Sequence, residues 1–297
     1  MTVGTFDGVH LGHQHILNTA IQRAQERDAN SVLVTFEPHP GFVLKSSGKP
    51  DVKLLTTIEE KIDLLEQTQL RYLIISNFTR AFADIAAEDF VKNFIVDTLQ
   101  AQYVVIGHDH TFGRDRRGNI DLLRKMGKEF GFDVEEVSPV KNEDQSISST
   151  RVRQLLLEGQ VDQAEHLLGR FYSITGQVIK GSGRGREMGF PTANIRPYSR
   201  YKLVPQNGIY ASKISIDNQE YDSVTYIGTR PTFNIKTKSI ETHIPDFDGD
   251  IYQKEVTVSF LKCLRKEETF DSTKDLINAI KNDKELAVQY LRNGGKG

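Results

Sequence analysis

The spacing of apolar residues changes character once along this chain, near Gly169-Arg170, and the change splits the sequence into two folding problems. Before it, short apolar runs at 31–36, 72–75 and 103–106 alternate with stretches of helical spacing at 57–67, 88–99 and 121–130. Short, β-branched, nearly unbroken runs read as buried strands, and strand–helix alternation implies a parallel sheet with helices on both faces. Thr57 and Glu60 stand at capping-box spacing, and Gly131 is a natural helix stop. Two short helical patterns, 150–158 and 161–168, separated by Gly159, close this half. After it, 209–216, 221–227 and 255–261 alternate with a period of two, and Asp217-Asn218 suits a hairpin turn. Residues 272–291 return to helical spacing. The expectation is an α/β domain over 1–168 followed over 169–297 by an antiparallel barrel or sandwich with one or two C-terminal helices.

Composition narrows the function classes. Of the 297 residues, 38% are hydrophobic and 26% charged, the ordinary balance of a globular protein. No run approaches the ~18 apolar residues of a membrane helix, and no basic stretch followed by an apolar one opens the chain. The single cysteine, Cys263, excludes an internal disulfide framework and a cysteine-based zinc site and suits a reducing compartment. The expectation is a cytoplasmic protein that spans no membrane. Up to Leu168 there are 18 basic against 25 acidic residues, and after it 20 against 15, so neither half carries a nucleic-acid footprint. The basic excess is local: Lys180, Arg184, Arg186, Arg196, Arg200 and Lys202 face only Glu187. Such a cluster suits a small anionic ligand or a solvated loop face.

The opening segment, Gly4-Thr5-Phe6-Asp7-Gly8-Val9-His10-Leu11-Gly12-His13, runs from a strand through glycines into a helix starting near Gly12. Only Met1-Thr2-Val3 precede Gly4, short of the usual 4–8 residues of a strand, so either the start is mis-assigned, the chain is trimmed, or the first strand is a stub. Glycines admit a ligand close to the backbone, and a helix N-terminus offers free N–H groups to phosphate. His10 and His13, three residues apart, can both face one ligand and stabilise charge developing on phosphate oxygens. Ile147-Ser148-Ser149-Thr150-Arg151-Val152-Arg153 opens a helix; its hydroxyls suit either phosphate binding or an ordinary cap. His108-Asp109-His110 lacks a third metal ligand at suitable spacing, and Pro38-His39-Pro40 reads as a rigid loop.

In the second half, the glycine-rich, basic segment 181–194 (GSGRGREMGFPTAN) is not a Walker A loop and opens no helix. It offers backbone donors and two arginines to phosphates, and Thr192 and Asn194 offer oxygen ligands for a hard cation, or it is a plain hairpin loop.

Taken together these motifs resemble the prokaryotic bifunctional riboflavin kinase/FMN adenylyltransferase (FAD synthetase) family. The opening segment is similar to the H-x-G-H signature of nucleotidyltransferases, in the extended form of the flavin-adenylylating module. The segments 35–40 (TFEPHP), 55–57 (LTT), 78–83 (FTRAFA) and 107–113 (GHDHTFG) follow in family order. In the second half so do 189–194 (GFPTAN), 228–233 (GTRPTF), 241–244 (ETHI) and 247–252 (FDGDIY). The resemblance implies a Rossmann-like nucleotidyltransferase domain and a riboflavin kinase barrel. It implies that His10 and His13 are catalytic and that Gly4, Phe6, Gly12, Ser149, Thr150 and Arg153 bind ATP in the first domain. In the second it implies Glu241 as the general base and Gly181, Gly183, Arg186, Thr192 and Asn194 as ATP ligands, with Thr192 and Asn194 also holding Mg²⁺. Asp109, Phe112 and Phe233 are the implied flavin contacts. Expected partners are riboflavin, FMN, FAD and ATP or ADP, with no nucleic acid, no tightly bound prosthetic group, and a monomer or weak homo-oligomer. Two other readings stay open. One is a nucleotidyltransferase for another phosphate acceptor with an accessory barrel, which leaves PTAN and ETHI unexplained. The other is a non-catalytic flavin-binding module, which predicts loss of Glu241, Asn194 or the histidines, all present here.

Overall fold

The computed structural model describes residues 1–45, 52–142, 145–181, 183, 185, 189–232, 235–245 and 247–292. They form two compact units, Met1–Ser149 and Thr150–Gly297.

In the first unit β1 (Thr2–Val3) leads to α1 (Leu11–Glu26) and pairs in parallel with β2 (Val32–Glu37). After α2 (Pro40–Val43) and α3 (Ile58–Glu66), β3 (Tyr72–Asn77) pairs in parallel with β2. The chain continues through α4 (Arg80–Ala83) and α5 (Ala87–Asp89), which runs into a π-helical stretch, Phe90–Thr98. Next, β4 (Tyr103–Gly107) pairs in parallel with β5 (Asp133–Val137) across α6 (Ile120–Phe130). The Val105 N–H donates to the Met1 carbonyl at 2.8 Å and the Met1 nitrogen donates to the Tyr103 carbonyl at 2.6 Å. That slanted pattern belongs to parallel neighbours, so the strands lie in the order β3-β2-β1-β4-β5. The α3 capping box forms as read: Glu60 N–H donates to Thr57 Oγ1 at 3.3 Å, and Thr57 N–H to Glu60 Oε2 at 3.0 Å. Gly131 ends α6 at φ +81°. One expectation fails. The run at 72–75 is not buried: β3 is an edge strand, with Tyr72 50% and Ile75 42% exposed. Two short antiparallel strands, β6 (Lys141–Asn142) and β7 (Gln145–Ser146), precede α7 (Ser149–Leu157) and α8 (Val161–Leu168).

The helix α7, all but its first residue, and α8 cluster with the second unit. There α8 packs on β13 (Glu255–Lys266) and β8 (Tyr172–Ile179). With β9 (Ala193–Pro197), β10 (Gly208–Ile216), β11 (Gln219–Thr232) and β12 (Ile235–His243) these strands close an antiparallel barrel in the order β10-β11-β12-β9-β8-β13. Asp217 and Asn218, at φ +50° and +64°, make the expected tight hairpin between β10 and β11. Inside, Tyr172, Ile174, Tyr210, Ile214, Val258 and Phe260 are buried. A ladder of buried hydroxyls joins them: Ser212 lies 2.9 Å from Ser223 and 2.7 Å from Thr225, which lies 2.9 Å from Thr242. The helix α9 (Thr273–Arg292) packs on β10, β11 and β13. Among the described residues no helix is long and apolar enough to cross a membrane.

Candidate active sites

In the first unit, the segment leaving β1 is forced into an unusual path. Phe6, Gly8 and Val9 have φ of +47°, +86° and +40°, values that a bulky or β-branched side chain resists. Burial holds two of them, since Phe6 and Val9 pack with Leu17, Leu33 and Leu65. Hydrogen bonds hold the rest. The buried Asp7 carboxylate accepts from the N–H groups of Leu55 and Thr56 at 3.0 Å each, and the Gly8 N–H donates to Thr56 Oγ1 at 3.0 Å. Beneath, the buried Lys61 ammonium donates to the Thr5 carbonyl at 2.6 Å and to Thr35 Oγ1 at 3.2 Å. Burial lowers the Lys61 pKa, while the charges of Asp7 and Glu37 pull it upward. Asp7, Thr35 and Thr56 fall inside the motifs quoted above without a role of their own, and Lys61 falls in none of them. Lys61 left a signal: it stands one helical turn before Leu65, a lysine on a core stripe.

The anchored loop delivers His10 to the N-cap of α1, where its Nδ1 accepts from the His13 N–H at 3.3 Å. The two imidazoles stack with centroids 3.6 Å apart, and the Phe6 ring lies 4.8 Å from that of His13. Gly12 permits this packing: a Cβ there would come within 3.2 Å of the His10 ring and 3.6 Å of the Ile147 carbonyl. Gly4 similarly lies under Phe6, where a Cβ would sit 3.1 Å from the ring. The Ser149 hydroxyl donates to the Asp7 carbonyl at 2.9 Å. Thus Phe6, His10, His13, Gly4, Gly12 and Ser149 come together. Thr150 and Arg153 belong to the second unit, on the first turns of α7.

At the end of β4, Asp109 is exposed and Phe112 packs 5.6 Å from Phe90 and 5.9 Å from His110. Burial pushes the His110 pKa down to about 4. His108 turns instead to Glu136, 2.7 Å away. His39 caps α2, its Nδ1 accepting from Gly41 N–H at 3.0 Å.

In the second unit the chemistry sits on two paired strands. β9 and β12 are in register with Asn194 directly opposite Glu241 and Ala193 opposite Thr242. A cavity of about 610 Å³ opens over this pair, lined also by Lys180, Gly181, Gly183, Thr192 and Tyr252. Two glycines shape its floor. At Gly181 a Cβ would lie 2.1 Å from Asn194 Nδ2, and at Gly185 one would lie 2.5 Å from the Phe190 carbonyl and 3.2 Å from Thr192 Oγ1. Thr192, Asn194, Glu241, Gly181 and Gly183 are therefore brought to one cavity, whereas Arg184, Arg186 and Phe233 lie outside the described residues. Asn194 lies on β9 rather than in a hairpin loop, and His243, to which the sequence assigns no role, follows two residues after Glu241 on β12.

Comparison with known proteins matches two family models to successive parts of the chain. A family model described as FAD synthetase matches residues 1–151, and one described as riboflavin kinase matches residues 168–291. Proteins named bifunctional riboflavin kinase/FMN adenylyltransferase are similar along nearly the whole chain. The protein from Bacillus subtilis is 36% identical over 99% of this chain and 92% of its own. That from Haemophilus influenzae is 37% identical over 98% of this chain and 94% of its own. A crystal structure from Streptococcus pneumoniae described as a macrolide-efflux protein matches with a TM-score of 0.88 at 32% identity, covering 96% of this chain and 92% of that one.

Proposed function

This chain belongs to the bifunctional riboflavin kinase/FMN adenylyltransferase family, and from that premise we propose the parts its residues play. The C-terminal barrel phosphorylates riboflavin to FMN with ATP, and the N-terminal domain adenylylates FMN to FAD, releasing pyrophosphate.

In the barrel, Glu241 takes the proton of the ribityl 5′-hydroxyl as its oxygen attacks the γ-phosphorus of ATP, and ADP leaves. Thr192 and Asn194 hold the nucleotide, with Gly181 and Gly183 letting phosphate approach the backbone. The observation that carries this reading is the register of Asn194 against Glu241 at the cavity floor. The reaction uses ATP with a divalent metal, which we take to be Mg²⁺. The donors fit it: the Thr192 hydroxyl and the Asn194 amide carbonyl are hard oxygen ligands. Among the described residues no group of three His, Cys, Asp or Glu forms an all-protein cage, and Mg²⁺ characteristically completes its shell with substrate phosphates and water. Bound there, it would neutralise charge developing on the phosphates.

In the N-terminal domain an FMN phosphate oxygen attacks the α-phosphorus of ATP. His10 and His13, stacked at a helix N-terminus, stabilise the phosphate charge. Gly4, Phe6, Gly12 and Ser149 pack around these histidines and the loop that carries them and bind ATP with them, and Asp109 and Phe112 contact the flavin. The assignment of Thr150 and Arg153 to the phosphates rests on the motif resemblance alone. The functional boundary is proposed at Leu168/Gly169, supported by the start of the riboflavin kinase match at residue 168. Cytoplasmic residence and a monomer or weak homo-oligomer complete the proposal.

Incubation of the full chain with riboflavin, ATP and Mg²⁺, followed by chromatography, tests the whole. FMN and then FAD are expected, and formation of neither overturns the reading. The variant Glu241→Gln should lose FMN formation by ~10²–10⁴. The double variant His10→Ala/His13→Ala should lose FAD formation, by ~10²–10³ for each donor, and keep FMN formation.

A further inference from the structure

We propose that His243 is a positioning residue of the kinase site, fastening the Pro191 carbonyl so that Thr192 and Asn194 are held against Glu241. The inference rests on the reading of Thr192, Asn194 and Glu241 given above.

Backbone pairing between β9 and β12 is short. It runs through Ile195↔Ile240, Asn194↔Glu241 and Ala193↔Thr242 and stops there. Pro191 has no N–H with which to extend a ladder. The side chain of His243 takes over at that point, its Nδ1 2.9 Å from the Pro191 carbonyl. A carbonyl only accepts, so Nδ1 carries the hydrogen and the ring tautomer is fixed by this contact. Its other nitrogen, Nε2, is sealed from solvent and has no hydrogen-bond partner among the described residues. A polar ring that leaves one nitrogen unsatisfied needs a compensating reason to be there, and the tie to Pro191 supplies one. The Phe190 ring stands edge-on to the imidazole at 5.9 Å, so two consecutive residues ahead of Thr192 rest on His243.

Period two along β12 puts Glu241 and His243 on one face, while Thr242 between them is buried in the hydroxyl ladder. Thr192 therefore hangs between two fixed points, the Pro191 carbonyl on one side and the Ala193–Asn194 pairing on the other. Both points belong to the strand that carries Glu241. The oxygen ligands for nucleotide and cation are thereby indexed to the base.

The test compares His243→Phe, which keeps ring volume and the Phe190 contact but has no donor, with His243→Asn, whose amide N–H reaches about where Nδ1–H stands. Steady-state riboflavin phosphorylation by the full chain is measured against MgATP, with the melting temperature of the barrel as the control for folding, FAD formation from FMN as the control for the other domain, and Glu241→Gln alongside. His243→Phe should raise the KM for MgATP and lower kcat, together by about 10²-fold in kcat/KM, the scale of a small misplacement at a reacting centre. His243→Asn should recover most of that loss, and FAD formation should be unchanged in both. Wild-type kinetics in His243→Phe, or equal loss in both variants, overturns the inference. Full activity in Glu241→Gln would instead overturn the underlying assignment of the base.

Discussion

The imidazole of His110, in the loop after β4, is sealed from solvent at Nε2 with no partner there among the described residues. Burial holds its pKa down to about 4 from 6.5, with the charge of Asp109 opposing the shift. Between those values the unfolded chain binds a proton that the folded chain refuses, so stability falls as the pH falls through the window and is constant above it. The complete effect is about 3 kcal/mol, felt in full below the folded pKa. His110→Phe, an apolar ring beside Phe112, should remove it. The urea midpoint of the first unit should drop less in the variant than in wild type between pH 7 and pH 4.5, and parallel slopes would sink the argument. Gly181 makes the matching case in the barrel. An alanine methyl there would stand 2.1 Å from Asn194 Nδ2, with no room except by moving that amide. Gly181→Ala should cut riboflavin phosphorylation by about 10²-fold while FAD formation from FMN continues. Unchanged FMN formation would mean that Asn194 does not need its observed place.

Elements show how one ion pair can fix a helix. On β13, the Arg265 guanidinium forks onto Asp283 of α9 with both bonds at 2.8 Å, and the carboxylate is buried. Asp283→Ala would leave the cation without its carboxylate, at a cost of about 3 kcal/mol, the low end for such pairs because Arg265 keeps some exposure. The expected reading is a lower melting temperature of the barrel, by about 10 °C. A shift under ~2 °C would show that α9 is held by its apolar face alone. The same scale separates what sequence reveals from what it hides. α3 and α6 were legible to their caps, because Thr57, Glu60 and Gly131 act within one turn. β3 was misjudged as buried, because an apolar run reads alike in a central strand and at an edge; only the absence of a second neighbour exposes Tyr72 and Ile75. The π-helical turn at Phe90–Thr98 was invisible, since Phe90, Val91 and Ile95 fit ordinary helical spacing. β9 and the Glu241 strand escaped because their inward positions include Thr242, a hydroxyl satisfied only by Thr225 on the next strand. The candidate site was legible as motifs but not as geometry. Nothing local in PTAN or ETHI announces that Asn194 and Glu241 are cross-strand neighbours.

Across the whole molecule, the open question is where the kinase begins. The change of apolar period and the start of the riboflavin kinase match put it at 168–169, while the compact second unit begins at Thr150. The intervening helices are stitched to the barrel. Asp162 on α8 pairs with Lys262 on β13 at 2.6 Å, and the Gln206 N–H donates to the Leu156 carbonyl at 3.0 Å. Gly159, at φ +79°, turns the chain so tightly against Gln206 that a Cβ would meet its Oε1 at 2.9 Å. α8 packs on β8 and β13 and buries Val161, Ala164, Leu167 and Leu168. Each fully buried aliphatic side chain is worth about 1.5–3 kcal/mol, so removing α8 withdraws a large part of the ~5–15 kcal/mol that a domain holds in reserve. None of the proposed kinase residues Thr192, Asn194, Glu241 and His243 lies in these helices. Stability and chemistry should therefore separate on truncation. A fragment of residues 150–297 should be soluble, melt cooperatively and convert riboflavin to FMN. A fragment of residues 169–297 should melt at least ~10 °C lower or aggregate, yet bind MgATP with near-normal KM wherever it remains folded. Equal melting temperatures would show that α7 and α8 contribute nothing to the barrel. A folded but inactive 150–297 fragment would show that the kinase site draws on residues before Thr150.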